Sequence, residues 1–145
     1  MGGTEGAGRL VLIVEDYADT RLMLRLLLEG EGYAVVEAAD GRQAVEEARR
    51  QCPDLILMDL HLPGVDGVEA TRIIREMSEM CAVPVIAVTA MDPDECRQRA
   101  ILAGCNDFIL KPPDPELLLR KIRALLEVGR SARLAAGMSA ALGAE

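Results

Sequence analysis

Basic residues are scarce in this sequence: 16 lysines and arginines stand against 24 aspartates and glutamates, for a formal net charge of −8. Nucleic-acid binders need clustered Lys and Arg to neutralise phosphates, so no nucleic-acid partner is expected. Long hydrophobic runs are missing as well. The opening MGGTEGAG has no basic stretch, and the nearest apolar run, LVLIV, is too short for a signal core or a membrane span. A cytoplasmic protein without a membrane partner is therefore expected. The four cysteines, Cys52, Cys81, Cys96 and Cys105, fall in no C-x-x-C or zinc spacing, and they are expected to be packing thiols. His61 is the only histidine and Phe108 the only phenylalanine. The His61 ring is expected on a loop surface.

What is present is a rhythm. Apolar runs rich in β-branched residues and leucine occur at Leu10 to Val14, Tyr33 to Glu37, Leu55 to Met58, Val83 to Val88 and Asp107 to Leu110. Most lack alternation, which suits strands buried on both faces of a parallel sheet. Between them lie helical segments with readable ends. Asp16 or Asp19 can cap a helix running to Gly30, Asp40 caps GRQAVEEARRQ, and Asp66 caps a helix through Met77. Pro93 suits the first turn of a fourth helix ending near Gly104, and Asp114 with Pro115 opens a fifth. Strict alternation of strand and helix implies parallel pairing, right-handed crossovers and helices on both faces.

The expected fold class is therefore α/β, a doubly wound five-stranded parallel sheet. Alternation alone leaves the strand order open. The common order 2-1-3-4-5 reverses between the first and third strands, and ligands bind beyond the carboxyl ends at that point. At 145 residues, half of them hydrophobic, the chain has room for one core. Residues 9–128 are expected to form the domain, residues 1–8 a flexible leader, and the Ala/Gly-rich stretch 129–145 a helical extension or linker.

The strand ends carry the chemistry. LIVED ends on Glu15 and Asp16, LILMD on Asp59, VIAVTA reaches Thr89, and FILKPP reaches Lys111. If the first and third rims adjoin, three carboxylates converge. Two unit charges about 5 Å apart repel by roughly 3 kcal/mol at an effective dielectric near 20, so such a cluster favours a proton or a bound cation. All-oxygen ligands on a shallow rim suit Mg²⁺. With a hydroxyl and an ammonium added, the set holds the parts for phosphoryl transfer, since an ionised Asp can act as nucleophile without a general base.

On VEDY, LILMDLHLPGVDG, VTA and NDFILKP, the chain resembles a response-regulator receiver domain of two-component signalling, over about residues 9 to 128. The resemblance implies a flavodoxin-like (βα)5 sheet in the order 2-1-3-4-5. The resemblance implies that Asp59 accepts a phosphoryl group from a phosphohistidine on a partner kinase or phosphotransfer protein. It implies that Asp16 and Asp59 hold Mg²⁺ directly, Glu15 through water, and that the His61 backbone carbonyl is a further ligand. Thr89 and Lys111 would bind phosphoryl oxygens, Phe108 would be the switch aromatic, and Lys111–Pro112 would be a cis peptide.

The resemblance further implies that the partner docks near the first helix, whose surplus of leucines flanked by Arg21 and Arg25 fits an exposed patch. A downstream target or dimer contact would use the face of the fourth helix, fifth strand and fifth helix, where Arg97, Arg99, Lys121 and Arg123 lie. The resemblance also implies that His61 and Met91, each two residues beyond a site residue, shape water access to the phosphoryl group. The same fold also allows a non-phosphorylated receiver that acts only as a binding module. A haloacid-dehalogenase-like enzyme would want an Asp where His61 stands. A flavodoxin-like carrier would want a Ser/Thr/Gly-rich loop where EDYADT stands.

Overall fold

Five short strands pair in parallel in the order β2-β1-β3-β4-β5, in a computed structural model that describes residues 8–62, 64–80, 82–90 and 92–128. The expected leader, all but its last residue, the tail 129–145, Cys81 and Met91 lie outside the described residues. The strands are β1 (Leu10–Val14), β2 (Ala34–Ala38), β3 (Leu55–Met58), β4 (Val85–Thr89) and β5 (Asp107–Leu110). The helices are α1 (Ala18–Gly30), α2 (Gly41–Gln51), α3 (Gly67–Glu76) and α4 (Pro93–Ala103), and residues 115–128 belong to α5.

Successive strand side chains point to opposite faces, and both faces are covered. Leu12, Val14, Ile56 and Met58 pack against Ala44 and Ala48 of α2, Ala70 and Ile74 of α3, and Ala100 of α4. Val11, Ile13, Leu55 and Leu57 pack against Leu24 and Leu28 of α1 and Leu118, Ile122 and Leu126 of α5. This double burial is why the strands read as continuous apolar runs rather than as alternating ones.

Helix ends follow local chemistry. Asp40 accepts from the Gln43 N–H at 2.8 Å, and Asp66 from the Glu69 N–H at 2.9 Å. Asp114 accepts from the Leu117 N–H at 3.2 Å. Asp92, unanticipated from the sequence, caps α4 through the N–H groups of Asp94 and Glu95, and Gly104 ends that helix in the left-handed region at φ 92°.

Three expectations fail. Neither Asp16 nor Asp19 caps α1, which starts after Tyr17 without a side-chain cap; Asp16 lies on the rim and Asp19 inside the first turn. β2 and β4 are shifted to begin at Ala34 and Val85, because strand limits are set by ladder partners, here Leu10↔Ala34 and Ile56↔Val85. Cys52 is exposed rather than packed; it occupies the left-handed C-cap of α2 at φ 47°. Cys105 does lean on the core.

Candidate functional site

The rim forms where the strand order reverses. β1 lies between β2 and β3, and Val14 is level with Met58, so the residues that follow, Glu15 and Asp59, emerge side by side. The Asp59 N–H donates to the Val14 carbonyl at 3.0 Å, and the Glu15 N–H to the Ala38 carbonyl at 3.0 Å. Glu15 and Asp59 are buried, at 2% and 5% exposure, while Asp16 is exposed. One carboxylate oxygen from each of Glu15, Asp16 and Asp59 lies within 4.8 Å of the others.

Lys111 enters this cluster from the far side of the sheet. Its Nζ donates to Asp59 Oδ2 at 2.8 Å and forms a second ion pair with Glu15 Oε1. The other Asp59 oxygen, Oδ1, accepts from the His61 N–H at 2.9 Å, and Glu15 Oε2 accepts from the Tyr17 N–H at 3.1 Å. Thr89 is fully buried at the end of β4, and its carbonyl accepts from the Lys111 N–H at 2.9 Å. The Lys111–Pro112 peptide is cis.

Burial pushes the Glu15 carboxyl above the ordinary value of 4.5, outweighing the opposing pull of Lys111 and the Tyr17 N–H. Burial alone would lower the Lys111 ammonium, but its bonds to Asp59 and Glu15 and their attraction reverse the balance, so it lies above 10.5. The signs differ in consequence. Glu15 contributes stability in acid that is lost as pH rises through its raised value, whereas the Lys111 contribution persists until strongly alkaline pH.

Two buried acids and an exposed one, with only one ammonium among them, carry excess negative charge on hard oxygen donors. That donor set fits a divalent cation such as Mg²⁺. Replacing Lys111 by Met is expected to cost the metal-free protein about 3 kcal/mol at neutral pH, the usual scale for breaking a buried pair. The deficit should shrink in acid as Glu15 takes up a proton, and on addition of Mg²⁺. Urea unfolding at neutral and mildly acid pH, with and without Mg²⁺, measures this, and a deficit unchanged across those conditions would contradict it.

The other sequence candidates occupy distinct places. His61 is exposed beside the rim. Phe108 is half-buried, leans on the core and lines a surface cleft with Arg97, Ile101 and Cys105. On α1, Leu22, Met23 and Leu26 are exposed at 52%, 46% and 60%, while Leu24 and Leu28, one turn apart, face the sheet. Lys121 pairs with Asp107 at 2.9 Å. Arg99 is turned instead to Asp66, at 3.5 Å, and so points toward the α3 cap.

Two neighbours of the site were not foreseen. Gly67 packs directly beneath the Asp59 backbone, where a Cβ would stand 2.0 Å from the Asp59 carbonyl oxygen. A glycine opening a helix just after a good Asp cap was the available signal, since glycine weakens a helix unless space demands it. Arg21, expected from the sequence only as a flank of the apolar patch on α1, reaches back to the Glu15 carbonyl.

A doubly wound sheet with three acids and a lysine meeting at its reversal point defines an α/β domain with a charged, cation-suited rim. The chain belongs to the response regulator receiver domain family, whose model matches residues 11–123, and so to the receivers of two-component systems. Protein PilH of Pseudomonas aeruginosa is 38% identical over 116 residues, covering 80% of this chain and 96% of that protein. The transcriptional regulatory protein ResD of Bacillus subtilis is 40% identical, but the match spans only 47% of its length. Among solved structures, the receiver domain of a Pseudomonas aeruginosa sensor histidine kinase shares 40% identity. The match has a TM-score of 0.78 and covers 83% of this chain and 99% of that one. That domain was solved with a magnesium ion coordinated in its active site cleft. Among the described residues of the present chain, no helix is long and apolar enough to cross a membrane.

Proposed function

We propose that residues 9–128 act in the cytoplasm as the phosphoacceptor of a two-component or phosphorelay system, with Asp59 taking the phosphoryl group. The observation that carries this reading is the placement of Asp59. It is a nearly buried carboxylate bridged to Glu15 by Lys111, with Asp16 alongside. Mg²⁺ held by Asp16 and Asp59, with Glu15 beside them and the His61 carbonyl as a further ligand, would neutralise charge on the transferring group.

An Asp59 carboxylate oxygen attacks the phosphorus of a partner phosphohistidine. The P–N bond breaks, its electron pair stays on the imidazole nitrogen, and that nitrogen takes a proton. The aspartyl phosphate carries about two negative charges where the carboxylate carried one, because the attacking oxygen becomes the bridging oxygen of a mixed anhydride. Lys111, already within hydrogen-bond reach of Asp59, is placed to follow the phosphoryl oxygens, and Thr89 supplies a hydroxyl to them. Movement of Thr89 then leaves room for Phe108 to turn inward, changing the surface of α4, β5 and α5 for a downstream target or a dimer partner. The exposed apolar strip of α1, formed by Leu22, Met23 and Leu26, adjoins the rim and suits the donor's helical bundle.

The test is direct. The 145-residue chain is incubated with a small acyl phosphate, with and without Mg²⁺, and its intact mass is read. Borohydride then converts any aspartyl phosphate to homoserine, which peptide sequencing locates. One Mg²⁺-dependent phosphoryl adduct, with homoserine at position 59, is the expected result. An adduct at another residue would overturn the assignment of Asp59. No adduct under any condition would leave a binding-only module whose rim acids serve a metal or a partner.

A further inference from the structure

We propose that Arg21, held in place by Glu37, is a positioning residue for the acidic pair and sets the affinity of the rim for Mg²⁺. The inference deepens the phosphoacceptor reading and rests on its metal site. Asp16 is exposed, and among the described residues nothing hydrogen-bonds or ion-pairs its carboxylate. Its position therefore depends on the backbone that carries it, above all on the peptide joining Glu15 to Asp16.

That peptide is held from α1. Arg21 Nη1 donates to the Glu15 carbonyl oxygen at 2.9 Å, while the Glu15 N–H is already bound to Ala38 of β2. The same guanidinium turns Nε toward Glu37 Oε1 at 3.4 Å. Glu37 sits on β2 opposite Ile13, two residues before Glu15 in β1. Its second oxygen accepts from Arg25 Nη1 at 2.7 Å. The fork thus ties three pieces together: the first turns of α1, the β1–α1 connection and the edge strand.

As a stability device this network is worth little, since part-exposed ion pairs contribute about 0–1 kcal/mol. Its distinctive member is the bond to a backbone carbonyl in the acidic pair. A planar fork is required, because one group must serve a carbonyl and a carboxylate in fixed relative directions. A lysine offers a point charge on a flexible stem. Groups that orient metal ligands without touching the metal typically change its affinity by about 10–100-fold when removed.

The experiment measures Mg²⁺ binding to the full chain by calorimetry, and by competition against Mn²⁺ followed through water-proton relaxation. The proteins are wild type, Arg21→Gln, Arg21→Lys, Glu37→Gln and, as a control on the same ion-pair network, Arg25→Gln. Both Arg21 variants are expected to weaken Mg²⁺ about tenfold, Glu37→Gln about threefold and Arg25→Gln less than about twofold. Melting temperatures in chelator should stay close to wild type. Phosphoryl uptake should return to near the wild-type rate at saturating Mg²⁺.

Mg²⁺ affinity within twofold of wild type in the Arg21 variants, or a loss of uptake that saturating Mg²⁺ does not restore, would overturn the proposal while leaving the phosphoacceptor reading intact. If the wild type binds no Mg²⁺, that reading's metal site and this inference fall together. Should the Arg21 variants fail to fold, Glu37→Gln decides, because it releases the fork without touching the Glu15 carbonyl.

Discussion

An Asp59→Asn variant is expected to fold normally and to accept no phosphoryl group. The amide removes the nucleophile but keeps the shape, and its oxygen can still accept from the His61 N–H that now meets Asp59 Oδ1. Lys111 loses one partner and keeps Glu15. Against that loss, one of three crowded carboxylates disappears, relieving repulsion of roughly 3 kcal/mol per pair at an effective dielectric near 20. The two changes oppose each other, so metal-free stability should stay within about 1 kcal/mol of wild type. Mg²⁺ affinity should fall because a ligand is gone. Intact mass after acyl phosphate treatment, paired with urea unfolding, checks both halves. Labelling at the wild-type level would show that the nucleophile is elsewhere.

The second large effect is structural. Gly67→Ala places a Cβ 2.0 Å from the Asp59 carbonyl oxygen and 2.7 Å from Leu60 Cα, and both obstacles are backbone. Relief by movement of α3 is opposed because Asp66 caps that helix and Gly67 itself donates to the Leu60 carbonyl at 3.3 Å. The cost should be about 3 kcal/mol, near the upper end for overpacking, or roughly 10 °C in melting temperature. Phosphoryl uptake should also drop about 100-fold if Asp59 shifts by about 1 Å. Gly64→Ala is the comparison: φ there is 69° but nothing lies within 4 Å, so only backbone strain of about 1 kcal/mol applies. Equal melting temperatures for the two variants would mean that the Asp59 loop yields easily, and that Gly67 does not constrain it.

β1, β3 and β5 were legible to the residue because each is a short apolar run bounded by turn chemistry. The caps Asp40, Asp66 and Asp114 were legible because a side chain bonding a backbone N–H three residues on is a local event. The start of α1 was misplaced for a related reason. Asp16 and Asp19 have the chemistry of a cap, but Asp16 is drawn to the rim by β1, and Asp19 falls one residue inside the helix. Arg99 pairs with Asp66, 33 residues away in the chain, and no local period encodes that distance.

The candidate site divides along the same line. The sequence by itself determined that acids stand at the ends of the first and third strands, a hydroxyl at the fourth and an amine at the fifth. Hydrophobic periodicity is read within a few residues, and a charge at the end of a buried run must emerge at the edge. Only the tertiary structure decided that these ends meet. Strand order places β1 beside β3, so Glu15 and Asp59 meet, and Lys111, just past the edge strand β5, reaches beyond β4 to bond Asp59 from 52 residues away. It also brought Gly67 under the Asp59 backbone and the Arg21 guanidinium onto the Glu15 carbonyl. Such contacts depend on where whole helices rest against the sheet, a position set by the packing of both faces at once rather than by any one segment.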